Sequence, residues 1–391
     1  MSMKKFTKKM LAIVAAGAMT MGLAMPAFAA DPSSTTPDTK NNAKEAYIKK
    51  TYNTEVKKPM EFTFTATQVK TGDYIVTKDL TCTIPSIKFE TSDFASEAGT
   101  YTKLSEKITF GTLEEAGKYE YTVKETESNP VITDSAYEKL IMSKAEYKMT
   151  VYVVEDSTGA CKVDQIVVNK TKDDKGNTAE GKVDIGDKAD SNTFNFVNTY
   201  VQEAGTGPNP STPNPTYNDN GALKVSKTIA APEGSIDSSA TFNFTATFAF
   251  PEGTDANTLG GVKGNGEDVS LTEGAYTFTL KHNDSLKFTG LPVGTKITVK
   301  ETGAANYKGS ASVVLNGGDA KIVAAGKYHE DLTAVDGDND KLGQNKNTVD
   351  VTNTYNHVPT TGIIMNTLPY VLMIALCGAA LFGFVAFKRR R

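Results

Sequence analysis

Apolar and polar residues alternate strictly at short intervals along this chain, and a period of two predicts strands rather than helices. Phe62, Phe64 and Ala66 alternate with polar residues in EFTFTAT, and Tyr119, Tyr121 and Val123 do so in YEYTVKET. MTVYVVED near Met149 and TFNFVNTY near Thr193 follow the same rhythm. Turn signals such as Thr71-Gly72-Asp73 and Lys175-Gly176-Asn177 separate these stretches, and no heptad or long helical stripe appears. From about Ala43 to Tyr200 the economical interpretation is a β-sandwich.

Val201 to Gly221 breaks the rhythm with a tract rich in Pro, Gly, Asn and Thr, read as a linker that is semi-extended where the prolines fall. The signals then restart. ATFNFTAT at Ala240 answers MEFTFTAT at Met60, VKET at Val299 answers VKET at Val123, and VTNTYN at Val351 answers FVNTYV at Phe196. The expected fold class is therefore all-β, with two tandem copies of one sandwich at 44–200 and 221–357 and the linker at 201–220.

The repeat exposes polar residues on the wrong parity. Glu125 shares a face with Tyr119, Tyr121 and Val123, which alone would mark only a strand end; Glu301 then repeats it beside Ile297 and Val299. Lys50 falls with Ala46, Ile48 and Tyr52, and Asn198 with Phe194, Phe196 and Tyr200. In the second copy Lys227 falls with Leu223, Val225 and Ile229, and Asn353 with Val349, Val351 and Tyr355. Lys49 is the fallback in the first copy, because the Lys-Lys pair leaves the register ambiguous by one residue.

A lone buried ammonium or carboxylate costs several kcal/mol, so such groups neutralise, pair or react. One reading is a buried ion pair beside an amide. The reactive reading uses the same desolvation, which lowers a lysine pKa and raises that of a glutamate. A neutral amine then faces the asparagine carboxamide while a protonated acid assists, and attack would expel ammonia and leave an isopeptide bond.

These residues and their order resemble the streptococcal pilin isopeptide-linkage domains of Gram-positive backbone pilins, which are related to collagen-adhesin B-type modules. The resemblance covers most of both copies. It implies Ig-like sandwiches in which Glu125 and Glu301 promote cross-links of Lys50 to Asn198 and of Lys227 to Asn353.

The ends of the chain bear on location. Lys4, Lys5, Lys8 and Lys9, an apolar core from Met10 to Met25 and the Ala27-Phe28-Ala29 flank read as a secretory signal over 1–29, followed by a polar, disordered segment over 30–43. Near the other end, Val358, Pro359, Thr360, Thr361 and Gly362 precede an uncharged run at 363–387, long enough to span a bilayer, and a basic cytoplasmic tail at 388–391. This arrangement resembles the LPXTG sorting signal of Gram-positive surface proteins, with Val358 in place of Leu. It implies that a sortase cleaves between Thr361 and Gly362 and passes the acyl group to a peptidoglycan precursor or to a lysine of another subunit. Lys182 and Lys188 are the candidate acceptors for that intermolecular link.

Composition narrows the alternatives. The 391 residues carry a formal net charge of −4, and the basic residues form no long run outside the termini, so nothing asks for nucleic acid. Cys377 lies in the terminal apolar run, and the sequence leaves open whether Cys82 and Cys161 pair. The three histidines, His282, His329 and His357, form no HExxH, and no CxxC pair or GxSxG occurs, so neither enzyme turnover nor a metal or cofactor is expected. The functional expectation is a structural subunit of a cell-wall-anchored pilus, polymerised with copies of itself and supporting adhesion. The alternative is a monomeric wall-anchored adhesin built from the same modules. A host ligand, if there is one, is not legible in the sequence.

Overall fold

The computed structural model describes residues 44–94, 99–186, 193–232, 235–337 and 340–356. The signal peptide, the 30–43 segment, Lys188, His357, the Val358–Gly362 motif, the apolar run and the basic tail lie outside them. No helix among the described residues is long and apolar enough to cross a membrane.

The first sandwich contains β1 (Lys49–Asn53), β2 (Met60–Val69), β3 (Cys82–Thr83), β4 (Ile87–Phe89), β5 (Thr100–Leu104) and β6 (Thr109–Phe110). It continues with β7 (Gly117–Asn129), β8 (Glu138–Ile141), β9 (Glu146–Glu155), β10 (Cys161–Lys172), β11 (Thr178–Val183) and β12 (Asn195–Gln202). One sheet runs β5-β1-β12-β8 and the other β11-β10-β9-β7-β2-β4, with β3 and β6 as a small satellite pair. Each sheet turns one face inward. Phe62, Tyr121, Val123, Tyr147, Met149 and Phe196 are among the side chains that fill the core.

A short helix, α1 (Pro215–Asn220), leads into the second sandwich, whose strands begin with β13 (Leu223–Ala230), β14 (Phe242–Ala249), β15 (Lys263–Gly264) and β16 (Glu267–Asp268). They continue with β17 (Ala275–Leu280), β18 (Ser285–Thr289), β19 (Lys296–Glu301) and β20 (Tyr307–Val314). The last are β21 (Lys321–Ala324), β22 (Leu332–Val335) and β23 (Thr348–Tyr355). The sheets run β16-β15-β18-β13-β23-β20-β21 and β17-β14-β19-β22. The equivalence is plain at the centre of each fold: β1 lies parallel to β12, and β13 lies parallel to β23. First and last strands are thus neighbours, although nearly the whole domain separates them in sequence.

The Pro-rich tract differs from the semi-extended linker expected of its composition. Ala204 N–H donates to Leu291 O at 2.9 Å, Gly205 N–H to Gly343 O at 3.0 Å and Val293 N–H to Gln202 O at 2.8 Å. Residues 201–207 are buried. Backbone groups and the polar side chains of Gln202 and Glu203 carry this docking, so it leaves no apolar periodicity for a sequence reading to find. Pro215 starts α1, where a missing N–H costs nothing, and Tyr217 on that helix is buried.

Candidate functional site

In the first domain the parallel register sets Lys50 opposite Phe196 and Tyr52 opposite Asn198. Lys50 and Asn198 therefore sit two residues apart along one face, the face that β1 and β12 turn toward the other sheet. Glu125 reaches them from that second sheet. It is paired with Phe64 on β2, and next to it the ladder skips Thr126, so that Thr63 faces Glu127. Such a bulge bends the strand and re-aims the adjoining side chain.

The three groups meet where solvent does not reach. Lys50 Nζ lies 2.9 Å from Glu125 Oε1, and both side chains are 0% exposed. Asn198 Nδ2 donates to Glu125 Oε1 at 3.1 Å and contacts Met142 Sδ at 3.2 Å. Lys50 Nζ also donates to Phe196 O at 3.2 Å and stands 4.5 Å above the centroid of the Phe62 ring. Asn198 Oδ1 accepts the backbone N–H of Ser143 at 2.8 Å. A cleft of about 540 Å³, lined in part by Lys124, Glu125, Ser143, Lys144 and Glu146, adjoins the group.

The second domain repeats the arrangement with few changes. Lys227 is opposite Val351, Asn353 lies two residues further along, and Glu301 is opposite Phe244. Lys227 Nζ lies 2.8 Å from Glu301 Oε1, and Asn353 Nδ2 donates to the same oxygen at 2.7 Å. Lys227 Nζ stands 4.2 Å from the centroid of the Phe242 ring. Gly309 is the cross-strand partner of Asn353, and a Cβ there would come within 3.2 Å of Asn353 Oδ1. A side chain at 309 would therefore crowd Asn353 and Leu332, a constraint of space rather than of backbone angle.

Electrostatics follow burial. Desolvation pushes both lysines down to about 8, against the opposing pull of the paired glutamates. Desolvation raises Glu125 and Glu301, opposed first by the charge of the partner lysine. Glu125 Oε2 and Glu301 Oε2 are buried and have no hydrogen-bond partner among the described residues. A bare carboxylate oxygen in a dry site favours moving the proton from lysine to the acid. Each cluster can therefore present a neutral amine and a carboxylic acid beside a carboxamide.

Of the other residues named from sequence, Lys49 is on β1 but only partly buried, and Lys182 is exposed on β11. Cys82 and Cys161 are both free thiols. Burial pushes the Cys82 thiol up to about 12, which makes it inert at neutral pH. Sequence reasoning missed the Thr126 bulge, the Ser143 N–H and Asp174. Asp174 Oδ1 accepts Ser143 Oγ–H at 2.6 Å and Val197 N–H at 2.8 Å, clamping the segment after β8 to β12. The only sequence signal for it was an Asp-Asp-Lys-Gly-Asn turn, which marks a reversal and not its partners.

A family model described as a domain of unknown function (DUF7601) matches residues 221–355. No curated protein matches the chain. Among solved structures, the chain is similar to the major pilin from Streptococcus pyogenes, at 19% identity and TM-score 0.32, covering 79% of this chain and 98% of that one. It is also similar to the major pilin protein (T-13) from Streptococcus pyogenes, at 19% identity and TM-score 0.30, covering 80% and 98%. A pilus-presented adhesin is similar over 49% of this chain and 36% of its own, at 16% identity and TM-score 0.26.

Proposed function

We propose that the chain is a structural subunit of a sortase-assembled pilus on a Gram-positive cell wall, each of its two sandwiches closed by an autocatalytic Lys–Asn isopeptide bond. The observation that carries this reading is the duplicated Lys–Glu–Asn cluster bridging first and last strands. A link there lets tension enter one strand and leave by its covalently joined neighbour without unzipping the core.

The bond-forming step balances within each cluster. Lys50 gives a proton to Glu125, and its lone pair attacks Cγ of Asn198 while the carbonyl electrons move to Oδ1. Glu125 delivers the proton to Nδ2, takes one from the former lysine nitrogen, and the Cγ–Nδ2 bond breaks. One secondary amide, one ammonia and one neutral carboxylic acid result. Lys227, Glu301 and Asn353 react alike. The reaction occurs once per domain and is maturation rather than turnover.

On this reading sortase acts at Thr361 and Gly362 and transfers the acyl group to a neighbouring subunit, with Lys182 and Lys188 as candidate acceptors, or finally to peptidoglycan. The test is muramidase extraction of walls, boiling in SDS and blotting for this chain. A ladder with subunit-sized steps that collapses with Thr361→Ala supports the polymer. A single band at every sortase level instead identifies a monomeric wall-anchored adhesin.

A further inference from the structure

The two clusters differ at the atom where charge would develop, the carboxamide oxygen. Asn198 Oδ1 accepts the Ser143 N–H at 2.8 Å. A backbone N–H must meet an acceptor, so this contact fixes which end of the amide is oxygen and leaves Nδ2 toward Glu125. Asn353 Oδ1 is buried and has no hydrogen-bond partner among the described residues. Gly309 leaves space beside it but supplies no donor.

We propose that the Ser143 backbone N–H is a catalytic oxyanion donor for closure of the first domain, held in place by Asp174, and that the second domain reacts without an equivalent. The inference rests on the isopeptide reading and adds to it a group that touches the reacting oxygen.

When the amine attacks, negative charge grows on Oδ1, and a fixed N–H in a dry site stabilises that charge more than it stabilises the starting carbonyl. The donor is held on two sides. Ser143 Oγ donates to Asp174 Oδ1 and accepts the Ala145 N–H at 3.1 Å, while Asp174 Oδ1 also takes the Val197 N–H one residue before Asn198. Donor and reacting oxygen thus hang from one clamp. With Oδ1 turned to Ser143, Nδ2 faces Glu125, so the acid is free to protonate the departing nitrogen. Ammonia leaves toward the cleft beside Glu125 and Ser143.

The test replaces only the N–H. The ectodomain is made by cell-free translation with lactic acid at position 143, which turns that amide into an ester, and is compared with Ser143→Ala, which has the same side chain and keeps the N–H. Synthesis is quenched at intervals, and the Lys50–Asn198 and Lys227–Asn353 cross-linked peptides are quantified by mass spectrometry, the second serving as an internal clock. The ester should slow the first cross-link on the order of 10²-fold relative to the second. Asp174→Ala should slow it in the same direction, by less. An unchanged ratio in both overturns the role of Ser143. Absence of both cross-links in the unsubstituted protein overturns the isopeptide reading itself.

Discussion

Lys227 and Asn353 stand on neighbouring parallel strands two residues out of register, and so they share one face of the sheet. Lys50 and Asn198 repeat that offset. Because these are the first and last strands of each sandwich, a short side-chain bridge between them closes nearly the whole domain into one loop.

The first prediction follows from the leaving group. The intact mass of the mature ectodomain should fall short of the sequence mass by two ammonia molecules. Glu125→Ala and Glu301→Ala should each restore one of them. A full-length mass equal to that of the unmodified sequence would remove the chemistry from both domains.

Stability should separate the bond from the ion pair beneath it. Asn353→Ala loses the cross-link but keeps the Lys227–Glu301 contact at 2.8 Å. Loop-closure entropy puts that loss at about 5 kcal/mol. Glu301→Ala loses the same bond and also strands a fully buried ammonium, which costs roughly 3–5 kcal/mol more. Guanidinium unfolding of the two variants measures the difference; equal midpoints would show that Lys227 loses nothing when its partner is removed, so that the pair adds no net stability.

The rate of closure should carry the signature of a shared proton. Lys50 and Glu125 together hold one proton over the middle of the pH range, and the reactive tautomer has the same proton count as the ion pair, so the rate there is flat. At low pH both groups are protonated and no free amine exists. Above about 8, where Lys50 titrates, the pair loses the proton needed by the departing nitrogen. Cross-linking in unreacted nascent chains should therefore plateau and then decline as pH passes about 8. A rate that climbs steadily to pH 10 would identify an unaided amine.

Much of this architecture is legible from parity alone. Lys50, Glu125 and Asn198 each break an alternation that their neighbours obey, and the second copy breaks it at equivalent places. The strand repeats therefore point to both the sandwich and its buried polar groups. Parity is silent on backbone donors: Ser143 N–H carries no residue-type signal, and its place depends on Asp174 reaching across from a turn. It is equally silent on the 201–207 segment, whose docking uses backbone carbonyls and amides together with the polar side chains of Gln202 and Glu203. Glu203 escaped notice for that reason, since it lies in a tract with no period to violate.

Glu203 yields the last prediction. Its side chain is buried at the junction, where Oε1 accepts the Tyr217 hydroxyl at 2.7 Å and the Gly290 N–H at 2.7 Å. Desolvation raises its pKa from 4.5 to about 7, against the opposing effect of those two donors. A carboxyl with a raised folded pKa adds stability that is fully present below the unfolded value and is lost as pH rises through the folded one. The window here runs from about pH 4.5 to about 7, and the loss across it is about 3 kcal/mol. Glu203→Gln keeps an oxygen that can accept both donors and removes the titration. Calorimetry at pH 5 and pH 8 should show the native protein losing stability relative to Glu203→Gln at the higher pH. A constant offset between the two would mean that Glu203 keeps an ordinary carboxylate pKa at the junction.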